Sequence, residues 1–184
     1  MFYRKDIFEE CGIGEPATFE EFEDNLAKIK ANGYTPLILC GKAGWHAMRF
    51  VEALIEMYAG SEEHDQISAL ESTWNQDAVI KAFAKYKEYI DLGYLPEGFV
   101  TLPGSDAKNL LYSADGIMSP EGPWMESNIF AHEQDHDLYG YFHIPLSENS
   151  NRESGFVEML QFNANLTEEE LEAQLTQAQS ELSA

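Results

Sequence analysis

The chain has 184 residues, 44% of them apolar and 12% aromatic, with 33 acidic against 11 basic side chains and a formal charge of −22. That composition is globular, with enough length for one sizeable core, and it excludes a disordered chain. A surface this acidic repels phosphate backbones and anionic lipid, so nucleic acid is excluded as a partner class.

The N-terminal MFYRKDIFEE lacks the long apolar stretch of a signal peptide, and no run reaches the ~18 apolar residues of a membrane span. The chain reads as a soluble cytosolic product, or as a piece whose export signal lies elsewhere. Two cysteines, Cys11 and Cys40, do not make a disulfide framework, and their pairing stays open.

In chain order, MFYRKDIF reads as a short entering strand, and the following turn is punctuated by Gly12, Gly14 and Pro16. Thr18 with Glu21 forms a capping box for a helix whose apolar face is Phe19, Phe22, Leu26 and Ile29. Thr35 to Leu39 is a continuous apolar run between turn residues, which predicts a buried strand. A Trp-led helix follows, with Met48, Val51, Leu54, Ile55 and Tyr58 at helical spacing and Gly60 as its stop. Asn75 is the expected cap of the next helix, which should bury Val79, Ile80, Phe83 and Ile90; Trp74 before it is expected in the core. A short helix is expected around Asp106 to Tyr112. GIMSPEGPW then predicts a strand, a turn and a helix start, with Pro123 near its first position. LYGYFHIP predicts a strand ended by Pro145. SENSNRESG is a polar linker, and FVEMLQFN is ambiguous between strand and helix. Thr167 and Glu170 form a second capping box before an acidic helix with a thin stripe of Leu171, Leu175, Ala178 and Leu182, which needs a partner surface to stay folded.

His132-Glu133-Gln134-Asp135-His136 is a literal H-E-x-x-H. A zinc hydrolase needs both histidines one turn apart on one helix face, with the glutamate polarising a bound water and a third ligand beyond. Here no apolar residue interrupts His132 to Asp137, so a buried helix face is not expected, and Glu148, Glu153 and Glu158 stand in no recognisable third-ligand motif. The reading favoured is a solvated helix-to-strand connection, with no metal and no cofactor. Phosphate-loop and nucleophile-elbow signatures are absent. Cys40 and His46 are close in sequence, without an orienting third group in view.

Several stretches together resemble the extracellular solute-binding proteins of sugar ABC transporters, the maltose-binding-protein-like family. Phe2-Tyr3-Arg4-Lys5-Asp6 and Phe8 match its aromatic-Tyr-Asn-Lys-Asp-x-Phe segment, with Arg4 in place of Asn. Gly12, Pro16 and Thr18-Phe19-Glu20-Glu21 follow in order, then TPLIL, NQDAVIKAFAKYKEYIDLGYLPEG, SADGIMSPEGPWMES and LYGYFHIPL. The family's chain is about twice this long, so the resemblance implies one lobe, mainly the C-terminal one. Its implied fold is α/β, one lobe of a type II periplasmic-binding-protein-like fold with a central, mostly parallel sheet flanked by helices. Residues 1–145 would form the lobe, and residues 146–184 a flexible segment with an acidic helix returning toward the hinge.

The resemblance implies oligosaccharide binding without bond chemistry, at the cell surface or in the periplasm. The implied partners are a permease and the absent N-terminal lobe. Trp45 and Trp124 each open a helix directly after a strand, where α/β sheets expose ligand-facing residues. Aromatic rings stack on sugar C–H faces, while acids, amides and Arg bond the hydroxyl rim. Trp45, Trp124, Glu121, His46 and Arg49 are therefore the expected ligand-binding residues. The alternatives are a zinc hydrolase through His132, Glu133 and His136, and an acidic interaction domain.

Overall fold

The computed structural model describes residues 1–132, 134–146 and 165–181, with side chains described up to residue 177. It divides into two units, residues 1–150 and 151–184. The SENSNRESG and FVEMLQFN stretches lie outside the described residues.

The first unit runs β1 (Phe2–Arg4), α1 (Lys5–Glu10), α2 (Phe19–Ala31), β2 (Thr35–Leu37), α3 (Trp45–Ala59), α4 (Ser61–Ser68), α5 (Asp77–Asp91), α6 (Gly104–Tyr112), β3 (Gly116–Ser119), α7 (Trp124–Ala131) and β4 (Tyr139–Tyr141). None of the described helices is long and apolar enough to cross a membrane. The strands form one sheet in the order β2-β3-β1-β4. β2 and β3 are parallel, with Leu37 opposite Met118. β1 is antiparallel to both β3 and β4. The expected mostly parallel sheet is therefore a mixed one. The helices between β2 and β3 form the crossover that a parallel pair requires, whereas β1 enters in the opposite sense.

TPLIL is apolar without alternation because both faces of the sheet are covered. Leu37 and Leu39 pack with Phe22, Leu26, Ile29, Phe50, Leu54 and Tyr89 on one side. Ile38 and Cys40 pack with Ala107, Leu111, Met125 and Ile129 on the other. Successive side chains alternate across a strand, so four consecutive apolar residues feed two cores. The outer edge of β2 is not left open: the Leu37 amide donates to the Tyr94 carbonyl at 3.0 Å.

Local chemistry sets the helix boundaries. Thr18 accepts from the Glu21 amide at 3.1 Å, and Glu21 reaches back to the Ala17 amide at 2.7 Å. Phe22, Leu26 and Ile29 are then fully buried. Arg4 ties β1 to the end of α6. Its guanidinium holds both Asp6 oxygens, at 2.9 and 2.7 Å, and donates to the Leu111 and Tyr112 carbonyls. That guanidinium holds the Asp6 carboxyl below its ordinary range.

Two helix faces differ from expectation. On α3 the buried residues are His46, Phe50, Val51, Leu54 and Ile55, while Met48 is exposed. On α5 they are Val79, Ala82 and Tyr89, with Ile80, Phe83 and Ile90 turned outward. The tyrosine face wins because both rings have aromatic partners and the tip of the buried one has an acceptor. Phe50 lies 6.5 Å from Tyr86 and 6.1 Å from Tyr89, centre to centre. The Tyr89 hydroxyl donates to Glu23 at 2.9 Å. Gln76, not Asn75, is the cap residue of α5, and it makes no side-chain cap bond. Trp74 is half exposed rather than in the core.

In the second unit, α8 (Glu168–Glu181) starts at the expected capping box: Thr167 accepts from the Glu170 amide, and Glu170 accepts from Thr167. Leu171 is half-buried and Leu175 is exposed, while the side chains of Ala178 and Leu182 lie outside the described residues.

Candidate functional site

Because β2 and β3 are parallel neighbours, the turns that leave them emerge at the same end of the sheet. The first turn leads from Cys40 into α3 at Trp45; the second leads from Pro120 into α7 at Trp124. The two indoles meet edge to face, with ring centres 5.9 Å apart and planes at 76°. Trp45 keeps 37% of its surface exposed, and Trp124 is half-buried. This is an aromatic step at the sheet's carboxyl end, where open α/β sheets present ligand-facing groups.

Each turn has a steric reason for its shape. A Cβ at Gly41 would come within 2.6 Å of the Val100 Cα and 2.8 Å of its carbonyl oxygen. The first turn can therefore lie flat against the 3-10 turn Phe99–Thr101. Two hydrogen bonds hold it there, Gly41 N–H to Phe99 O at 2.7 Å and Lys42 N–H to Leu102 O at 3.3 Å. In the second turn, a Cβ at Gly122 would clash with the six-membered ring of Trp124. The absent side chain is what lets the indole fold back over its own turn.

Beneath the step lies a polar relay. Trp124 Nε1–H donates to Glu121 at 2.6 Å. The other Glu121 oxygen is 3.9 Å from His46 Nε2, and the side chains of Glu121 and His46 are only 2% and 1% exposed. His46 Nε2 sits 2.8 Å from the Pro120 carbonyl. His46 Nδ1 is 3.4 Å from the Cys40 amide and 3.2 Å from its sulfur. A carbonyl only accepts and an amide only donates, so these partners assign the neutral tautomer with its proton on Nε2. Burial pushes the imidazole below its ordinary value of 6.5, with the Glu121 charge opposing, and it holds the ring neutral at physiological pH. Burial also raises the Cys40 thiol, with Glu121 adding to the rise, so the sulfur stays protonated and can donate to Nδ1. A shielded, protonated thiol is a poor nucleophile. The Cys40–His46–Glu121 arrangement is thus a brace between turns rather than a hydrolytic centre.

Of the five expected binding residues, the structure brings Trp45, His46, Glu121 and Trp124 together. Of these four, only the two tryptophans reach the surface substantially; His46 and the Glu121 carboxylate stand behind them. Arg49 lies one turn along α3, half-exposed, with an ion pair to Glu52 at 2.8 Å. Sequence reasoning missed Pro120, whose carbonyl is the orienting acceptor for His46. Backbone groups leave no side-chain signature, and nothing in the sequence could have flagged it.

The H-E-x-x-H run does not form one helix. α7 ends at Ala131 with His132 as its cap, and His136 begins a separate 3-10 turn, His136–Leu138. The His132 ring donates from Nδ1 to the Asn128 carbonyl at 2.8 Å, and both histidines are exposed. Glu133 lies outside the described residues. Among the described residues no three His, Cys, Asp or Glu side chains are placed to share a metal ion. Both cysteines are free.

A mixed sheet covered by helices on both faces, with an aromatic step at its carboxyl end, defines a protein of the α/β class. The profile of the bacterial extracellular solute-binding proteins matches residues 1–165, and the chain belongs to that family. It is 25% identical over 129 residues to the multiple sugar-binding protein of Streptococcus mutans, covering 67% of this chain and 31% of that one. Among solved structures, a chitin oligosaccharide binding protein superposes with a TM-score of 0.72 at 28% identity, over 78% of this chain and 37% of the other. RafE in complex with raffinose superposes with a TM-score of 0.61 at 27% identity, over 78% and 38%. The chain thus spans about a third of the length of the relatives it matches.

Proposed function

We propose that this chain is one jaw of a carbohydrate receptor, the substrate-binding component of an ABC transporter acting at the cell surface. The observation that carries the reading is the Trp45–Trp124 step at the carboxyl end of the parallel pair. Two indoles at a steep angle offer one face and one edge to an apolar C–H face of a pyranose. Arg49, half-exposed one turn along α3 from Trp45, would bond hydroxyls. Glu121 serves the site by holding the Trp124 indole. No bond is made or broken. A complementary lobe would supply the other half of the contacts and close by hinge motion, and a permease would receive the sugar. That relatives carry sugar-binding names and that the family is extracellular support the assignment.

Saturation-transfer NMR detects weak binding and suits a single lobe. With raffinose and chitin oligosaccharides at millimolar concentration, sugar ring protons should receive saturation from the chain. Trp45→Ala should remove most of that transfer. A chain that transfers no saturation to any neutral oligosaccharide would leave the acidic interaction domain as the better description.

A further inference from the structure

We propose that His46 is a positioning residue that locks the two turns together and thereby sets the angle between Trp45 and Trp124. His46 is the second residue of α3, immediately after Trp45, and its ring stacks tilted against that indole, 4.7 Å between centres. From there Nε2–H reaches across to the Pro120 carbonyl at 2.8 Å, on the far turn. On the near side Nδ1 accepts from the Cys40 amide and thiol, at 3.4 and 3.2 Å. Glu121, next to Pro120, then holds the Trp124 indole nitrogen at 2.6 Å. One ring therefore joins the end of one strand to the end of its neighbour; Trp45 is the residue next to it, and Trp124 is tied to it through one hydrogen bond to Glu121, the residue next to Pro120. The ring is fully buried, so both of its nitrogens need these partners, and any slip between the turns would leave one unsatisfied.

The role of the step in sugar binding rests on the function proposed above; the locking of the two turns does not. The brace has two ends that two amide side chains mimic separately. Glutamine places its amide nitrogen near the Nε2 position and can still donate to Pro120. Asparagine places its amide oxygen near Nδ1 and can still accept from Cys40, but it falls short of Pro120.

The test uses the full chain in a Trp74→Phe background, so that the far-ultraviolet exciton circular-dichroism couplet reports the Trp45–Trp124 pair. His46→Gln should keep most of the couplet, and His46→Asn should lose at least half of it, although both retain a cooperative melt. Equal couplets in the two variants would overturn the proposal, and so would a full couplet in His46→Leu, which fills the space of the ring but offers neither polar end. Nitrogen-15 shifts of the unsubstituted chain give a second measurement that no folding defect can spoil. A protonated Nε2 with a bare Nδ1 is expected, and a proton on Nδ1 would overturn the brace. If Gln exceeds Asn in the couplet while raffinose and chitin oligosaccharides give no saturation transfer, the brace stands and the sugar reading fails.

Discussion

Two regions of this molecule pair histidine with a carboxylate, and they behave in opposite ways. His132 to His136 copies a zinc-hydrolase motif letter by letter, yet it straddles the end of α7 and a 3-10 turn, with both rings in solvent. Cys40, His46 and Glu121 match no motif, yet they converge in a buried brace beneath two indoles. What separates the regions is topology. The second set lies where two parallel strands end side by side, so that distant residues are delivered to one place. The first set lies on a connection that the sheet does not organise. A motif carries chemistry only when the backbone gives it the geometry the chemistry needs.

The sharpest way to break this contrast is to disturb the turns. Gly41→Ala forces a methyl group against the backbone of Val100, and an overpacked contact of that kind costs about 1–3 kcal/mol. A denaturant midpoint unchanged by this substitution would show that the turn does not need its close approach. Trp124→Phe keeps an aromatic ring but removes the donor to the buried Glu121 carboxylate. Leaving that group unsatisfied should cost roughly 1–3 kcal/mol, measured by urea unfolding.

A smaller effect is expected from pH. Burial lowers the imidazole of His46 below 6.5, so the folded chain binds fewer protons there than the unfolded chain does. Its contribution to stability is therefore complete above pH 6.5 and is lost as the pH falls below that value. His46→Gln should flatten that part of the stability profile between pH 7 and 5. Identical profiles would place the ring in solvent instead. The smallest effect belongs to the other region. Replacing both His132 and His136 by Ala should change stability by no more than about 0.5 kcal/mol, and added zinc should raise the melting temperature of neither protein. A zinc-dependent rise that vanished in the double variant would restore the metal reading.

Legibility in the sequence followed locality. Thr18 with Glu21 and Thr167 with Glu170 mark helix starts because capping chemistry spans three residues, and both boxes form. TPLIL reads as a buried strand because its apolar run needs two covered faces, and it has them. The face of α5 differs from the one its apolar pattern predicts because Tyr86 and Tyr89 count as half-polar by type. Their burial depends on Phe50 and Glu23, which no local window contains. The sense of β1 was likewise invisible, since a three-residue strand carries no mark of its neighbours' direction. At the site, Trp45 and Trp124 stood out by their place after strands. Their mutual contact did not, and neither did the burial of His46, whose decisive partner is a carbonyl 74 residues away.

One detail of the first turn bears on how a ligand would be received. The amides of Gly41 and Lys42 are held by the Phe99 and Leu102 carbonyls, so this irregular stretch is pinned much as a strand would be. A molecule landing on Trp45 would then meet a surface that is already organised. Little conformational freedom would be surrendered on arrival, and selectivity would come from fit rather than from adjustment.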